Sequence, residues 1–318
     1  NLSVRNLNNM KKIILLTGGS GMVGKNIKNH KCSSDYEILS PTSSDLNLLN
    51  YQKILDFVSS NKPEFIIHAA GVVGGIEANM NYPVKFLVDN MRMGLNILMA
   101  AKTSNVKNFI NLGSSCMYPK NAENPISEDL ILKGELEPTN EGYAIAKSTS
   151  TRLCEYINRE DNSFLYKTII PCNLYGKYDN FSYDSSHMIP GVIRRIHDAK
   201  KNNSQYVDVW GDGLARREFM YAEDLADLIY YAVKNFIKMP QNINIGLGHD
   251  YSINEYYKMI ADVIGFNGKF NHDMSKPIGK KKKLTDNRKL NEFGWSYKTS
   301  LKLGIKKTYD YFLNEVKK

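Results

Sequence analysis

The sequence predicts an α/β fold, a Rossmann-type doubly wound parallel sheet with a smaller C-terminal α/β lobe for substrate. Three observations carry this. Short, continuous apolar runs alternate with helix-like stretches through the first 175 residues, the pattern of strands buried on both faces. A glycine cluster follows the first of these runs directly. Near residue 176 the alternation breaks, and Tyr-rich, Gly-punctuated segments take over. A chain of 318 residues, 42% hydrophobic and 24% charged, has the length for a large core with a companion lobe and an ordinary globular composition.

Asn1 to Asn9 is polar and reads as an extension ahead of the folded part, residues 1–10. Lys12 to Thr17 is the first strand, and further strands are expected at Glu37–Ser40, Phe65–His68, Asn108–Leu112 and Leu165–Ile170. Helices are expected near residues 22–30, 51–60, 82–104 and 143–160. The helix from Pro83 to Thr103 is apolar around more than one side, which suggests burial against both the sheet and a second subunit. Beyond residue 176, Tyr206–Trp210 reads as a short strand, while Ala222–Asn235 and Ile243–Gly246 read as returning to the main sheet. The expected division is therefore a dinucleotide domain over 11–175, with 222–248 returning to it, and a substrate lobe over 176–221 and 249–318.

Gly18, Gly21 and Gly24 stand three residues apart immediately after the first strand. Glycine suits a tight strand-to-helix turn whose backbone must approach a pyrophosphate, and the helix that follows offers free N–H groups and a positive dipole end. Gly18, Ser20, Gly21, Met22 and Val23 are thus candidate cofactor residues. Asp45 and Leu46 are candidates beside the adenine, and His68, Ala69 and Ala70 end the strand along which a cofactor would pass. His68 also reads as a satisfied core histidine. After the second strand, Ser40-Pro41-Thr42 holds neither the acid that binds the ribose of NAD nor an arginine for the phosphate of NADP, so this loop leaves the cofactor's identity open.

Tyr143 and Lys147 are four residues apart on a helix and share one face. Tyrosine titrates near 10, so it becomes an effective acid–base group only where a cation such as Lys147 stabilises its phenolate. Ser114 follows the fourth strand at the carboxyl edge, where open α/β sheets bind ligands, and its hydroxyl can hold a substrate oxygen. Ser115 is the alternative for that role. Ser114, Tyr143 and Lys147 together describe a carbonyl reductase or an alcohol dehydrogenase.

Longer strings carry a specific resemblance: LGSSCMYPKNAENPISEDLILKGELEPTNEGYAIAKS (112–148), PCNLYGKYDNF (171–181), SHMIPGVIRR (186–195) and VWGDGLARREFMYAEDLA (209–226). Over nearly its whole length the chain resembles the GDP-L-fucose synthase family of extended short-chain dehydrogenases/reductases. The resemblance implies an NADPH-using homodimer that epimerises and reduces a GDP-linked 4-keto-6-deoxy sugar in one site, with NAD left open. Inversion beside a ketone needs two acid–base groups besides the tyrosine, and Cys116 and His187 occupy the family's two positions. The matched segments also imply Pro171, Asn173 and Leu174 on the cofactor side. Ser115, Asn173, His187, Trp210, Arg217 and Lys283 are implied on the substrate side. The match departs at Gly19-Ser20 and at Ser40 to Ser44, where relatives carry His-Arg and arginines, and this puts NADP preference in question. The main alternative is a 4-reductase, with or without epimerase activity, for a GDP-4-keto-6-deoxyheptose or a related capsule sugar. A catalytically silent dinucleotide sensor is the alternative outside enzymology.

The formal net charge of +9 comes from lysines spread along the chain, with one run at Lys280–Lys283. No zinc-finger or other metal-ligand spacing and no aromatic-interleaved basic tract accompanies it, so neither a metal nor nucleic acid is expected. Pyrophosphate-bearing ligands suit that field instead. Four cysteines without CxxC pairing point to reduced thiols in the cytoplasm, and no apolar run reaches the roughly 18 residues of a membrane helix.

Overall fold

Apolar side chains alternate across a six-stranded parallel sheet and feed one core on each of its faces. The computed structural model describes residues 11–276 and 280–316, so the expected extension over 1–10 lies outside the described residues. The strands are β1 (Lys12–Thr17), β2 (Tyr36–Leu39), β3 (Phe65–His68), β4 (Asn108–Leu112), β5 (Leu165–Pro171) and, late in the chain, β10 (Asn242–Ile245). Their order is β10-β5-β4-β3-β1-β2, all parallel. The order reverses between β1 and β3, which makes their carboxyl ends the place where a ligand crosses the sheet.

Ile14, Leu16, Ile67, Ile110 and Ile169 point to one face, where they meet α1 (Met22–Asn29) and α7 (Ala222–Lys234). Leu15, Ile66, Phe109 and Tyr166 point to the other, against α2 (Tyr51–Asn61), α4 (Pro83–Thr103) and α5 (Glu141–Glu160). A short helix, α3 (Ile76–Asn81), leads into α4. The β1–β3–β4–β5 register sets Thr17, His68, Asn111 and Thr168 side by side. This row is polar: Thr17 Oγ1 and His68 Nδ1 are 2.8 Å apart, and Asn111 donates to Thr168 Oγ1 at 3.2 Å, while Asn111 Oδ1 is buried without a partner. It forms the floor of the candidate site.

A separate core joins β6 (Asn173–Tyr175), β7 (Tyr206–Trp210), β9 (Phe219–Tyr221), α6 (Met188–Lys201), α8 (Ile253–Ile264) and α10 (Leu301–Tyr311). The small strands β8 (Arg216–Arg217), β11 (Tyr251–Ser252) and β13 (Lys282–Lys283) pair in one sheet, β12 (Lys269–Asp273) pairs with β7, and α9 (Arg288–Phe293) packs on β10. Ser252 and Glu255 form a capping box that starts α8, and Gly265, left-handed at φ 74°, ends it.

Most boundaries shift from the sequence expectation by about a residue, and two of the shifts bear on the site. Strand β2 stops at Leu39, one residue early, because Ser40 turns into the loop before Pro41, which has no N–H to continue a ladder. Helix α5 starts at Glu141 rather than at Tyr143, off the turn Pro138–Asn140, so Tyr143 sits inside the first turn.

Candidate active site

The glycine turn is built to exclude side chains at two points and to leave room at a third. Gly18 has φ +74°, and a Cβ there would lie 2.5 Å from the Ala70 nitrogen and 2.6 Å from the Ala69 carbonyl carbon. A Cβ on Gly24 would lie 2.2 Å from the Gly18 oxygen, so helix α1 packs directly on the turn. Gly21, the N-cap of α1, would set a Cβ no closer than 3.5 Å to the Gly18 oxygen. Open space thus remains where the helix N-terminus faces outward; the Gly21 N–H donates to the Gly18 carbonyl at 3.1 Å, and the N–H groups of Ser20, Met22 and Val23 are the ones a dinucleotide pyrophosphate could use.

The neighbouring candidates divide by what they can offer. His68 is 3% exposed, paired with Thr17, and burial lowers its pKa to about 3, so it stays neutral. Asp45 accepts from Thr42 N (3.0 Å) and Thr42 Oγ1 (2.7 Å), Leu46 is buried in the core, and the backbone N–H groups of both donate to the Thr42 carbonyl at 3.1 and 2.9 Å. Ala69 and Ala70 wall Gly18. On the far side, Pro171 pairs with Ile245, Leu174 packs against the main core, and Asn173 Nδ2 donates to the Glu218 carbonyl at 3.0 Å.

Ser114, Cys116, Tyr143 and Lys147 converge at the end of β4. Ser114 caps the turn Ser115–Met117, accepting from the Cys116 N–H at 3.2 Å, while Ser115 is 3% exposed and points away from solvent. Lys147 Nζ donates to the Leu112 carbonyl at 3.0 Å and stands 5.7 Å from the Tyr143 ring centroid. A Cβ on Gly71 would meet that ammonium at 3.7 Å, so the strip following β3 and the lysine share one wall. Burial raises the Tyr143 pKa above 10.0, the nearby Cys116 raises it further, and a hydrogen bond with Ser114 opposes both. Burial brings Lys147 down to about 8. The arrangement is a protonated phenol beside a lysine whose charge is poorly solvated, which suits proton delivery to a ketone.

Asn140 Nδ2 donates to Cys116 Sγ at 3.2 Å, and Lys283 Nζ lies 3.9 Å from the same sulfur. Arg217 donates to the Arg216 carbonyl (2.8 Å) and the Lys280 carbonyl (2.5 Å), which ties β8 to the strand carrying Lys283. Burial lowers Lys280 to about 8, with Lys283 and Arg217 adding to the effect, so three cations share this wall. His187 is the N-cap of α6 with 43% of its side chain accessible, and its Nδ1 is 3.8 Å from Asp179 Oδ1. Asp179 raises its pKa, while burial opposes the shift. Trp210 is half exposed at the end of β7, and Lys276 lies 5.4 Å from its ring centroid.

Residues 14–246 match the NAD dependent epimerase/dehydratase family. The chain belongs to that family. It is similar to a GDP-L-colitose synthase from Yersinia pseudotuberculosis, 62% identical over 95% of this chain and 98% of the relative. It is also similar to a GDP-L-fucose synthase from Azorhizobium caulinodans, 47% identical over 96% and 98%. Among solved structures, a GDP-mannoheptose C4 reductase from Campylobacter jejuni with NADP bound superposes with a TM-score of 0.86 at 30% identity, over 96% of this chain and 99% of that one. This epimerase/dehydratase-family chain is a nicotinamide-dependent enzyme, an oxidoreductase built on a Rossmann-like sheet.

Asn140 and Lys280 of this wall, and Asp179 beside His187, were not site candidates in the sequence. Asn140 lies only three residues before Tyr143, and Lys280 opens the lysine run, so both had a local signal. Asp179 had none, because only the turn ahead of α6 brings it to His187.

Proposed function

We propose that this chain is an NADPH-dependent epimerase–reductase of a GDP-linked 4-keto-6-deoxy sugar. The observation that carries the reading is the convergence of a second acid–base group, Cys116, with Ser114, Tyr143 and Lys147 at the carboxyl edge of the sheet. A plain ketoreductase needs no thiol there. A bound nicotinamide supplies the hydride. Ser114 holds the ketone oxygen, Tyr143 hands it a proton, and Lys147 steadies the charge left on the phenol. Protons beside a ketone are acidic, and Cys116 and His187 serve as the groups that remove one and return one on the opposite face. Lys283, Arg217 and Lys280 offer positive charge to the diphosphate, with Asn173 and Trp210 as further substrate contacts, whereas Ser115, 3% exposed, offers none. Residues 176–221 and 249–318 serve as the substrate lobe, while 11–175 with 222–248 hold the cofactor.

GDP-L-fucose is the product the motifs favour, and the 62% identity to a GDP-L-colitose synthase favours GDP-L-colitose. Colitose lacks the hydroxyl at carbon 3, so for that product only carbon 5 inverts. A GDP-heptose 4-reductase is the remaining variant. Incubation with NADPH in heavy water separates them. Fast oxidation with GDP-4-keto-6-deoxymannose and deuterium fixed at two inverted carbons marks the fucose reaction. A preference for the 3-deoxy substrate, with inversion at carbon 5, marks colitose. Oxidation without fixed deuterium leaves a simple reductase, and a Tyr143→Phe variant as active as wild type sinks the enzyme assignment to these residues.

We further propose a homodimer through α4 and α5. Val84, Val88 and Met99 form an exposed apolar stripe on α4, beside exposed Tyr156 on α5. A monomeric mass at micromolar concentration overturns it. A thiol acting as base must stay reduced, which suits a reducing compartment such as the cytoplasm.

A further inference from the structure

We propose that Lys28 and Ser40 recognise the 2′-phosphate of the adenosine ribose, so that this chain selects NADP without the arginines its loops lack. The inference rests on the NADP reading above. Where an open α/β sheet binds a dinucleotide, the residue after the second strand meets the ribose: a carboxylate accepts from the hydroxyls of NAD, and a cation meets the extra phosphate of NADP. Here that residue is Ser40, directly after β2. Ser40 is partly exposed, and its Oγ, packed against Gly19, has no hydrogen-bond partner, so a χ1 turn toward a bound phosphate breaks no hydrogen bond.

The cation comes from a helix rather than from the loop. Lys28 is exposed in the last turn of α1, and among the described residues it makes no ion pair or hydrogen bond. Helical side chains point back toward the N-terminus, so Lys28 lies over the glycine turn. A Cβ built on Gly19 would sit 1.7 Å from Ser40 Oγ and 3.6 Å from Lys28 Cδ. Hydroxyl and lysine stem thus both flank the Gly19 backbone, with the ammonium two bonds beyond Cδ. The one carboxylate of this loop, Asp45, is bonded to Thr42. A hydroxyl and a point charge suit a phosphate oxygen, while neither can accept from both ribose hydroxyls as a carboxylate does.

Binding is measured without sugar, by calorimetric titration of the full chain with NADPH and with NADH. Wild type is expected to bind NADPH at least about tenfold tighter. Lys28→Gln is expected to weaken NADPH by about tenfold and to flatten its salt dependence, as loss of one charge-assisted contact implies, with NADH unchanged. Ser40→Ala is expected to lower the NADPH/NADH ratio by a few-fold. Equal wild-type affinities for the two cofactors overturn the NADP reading itself. A wild-type preference that survives intact in both variants overturns only the assignment to Lys28 and Ser40. The NADH affinity serves as the control for folding in each variant.

Discussion

Tyr143 and Lys147 divide one job because their environments move them in opposite senses. Burial holds the phenol protonated and brings the lysine down to about 8. Below that pH the lysine is charged and can stabilise the phenolate left by proton delivery. Above it the charge is lost, so kcat/KM for ketone reduction is expected to fall with an alkaline limb near 8. A pH–rate profile flat from 7 to 10 would contradict this. His187 depends on Asp179 in a comparable way. The carboxylate at 3.8 Å raises its pKa, whereas burial and its place at the N-terminus of α6 oppose a positive charge. In Asp179→Asn only the opposing effects remain. The His187 titration, followed by NMR, is expected to drop below the ordinary 6.5, and the pH dependence of substrate deuterium exchange is expected to move with it. An unmoved titration sinks the pairing, even if activity is lost.

At the scale of elements, the β1–α1 turn separates folding from binding. In Gly18→Ala the methyl meets the Ala69–Ala70 backbone at 2.5–2.6 Å and the residue must hold φ +74°, so both stability and cofactor binding are expected to fall. In Gly21→Ala the backbone is extended and the nearest atom is 3.5 Å away. The unliganded protein should melt within about 2 °C of wild type, while NADPH binding weakens by about tenfold or more, because the methyl stands where the phosphates approach. Thermal scans with and without NADPH decide it; equal losses in both variants would remove the distinction. The turn and its flanking strands were legible because local patterns set them: Phe65–His68 and Asn108–Leu112 are buried runs with the observed limits. The two-residue strands β8, β11 and β13 were not, since they exist only where distant segments meet, as Arg216 meets Lys282. The same holds for the site. Tyr143 and Lys147 announce themselves by spacing, whereas the contact of Asn140 with Cys116 depends on how two loops fold back on each other.

For the whole molecule, buried groups of opposite sign set the response to alkali. Lys147 has a folded pKa of about 8 against 10.5 when exposed. Between those values the unfolded chain binds a proton that the folded chain does not, so stability from this group rises with pH from about 8 upward. Lys167 is also lowered by burial, but its ammonium donates to the carbonyls of Phe236, Ile237 and Met239, which favours the charge and weakens its contribution. Buried thiols and phenols act in reverse. Cys154 and Cys172 are raised above 9.0, and Tyr118, Tyr166, Tyr175 and Tyr256 above 10.0, so the folded chain keeps protons that the unfolded chain releases. Their stability is present below those values and is lost as the pH passes them. The lysine acts first as the pH rises, and the more numerous thiols and tyrosines overtake it. Stability is therefore expected to climb from about pH 8, turn between 9 and 10, and fall steeply beyond. Denaturant titrations at half-unit steps measure the curve. Lys147→Met, which removes one rising component and leaves Lys280, the thiols and the tyrosines in place, should shrink the rise above pH 8, and a wild-type curve that already declines from pH 7 would show that the buried lysines keep their charge.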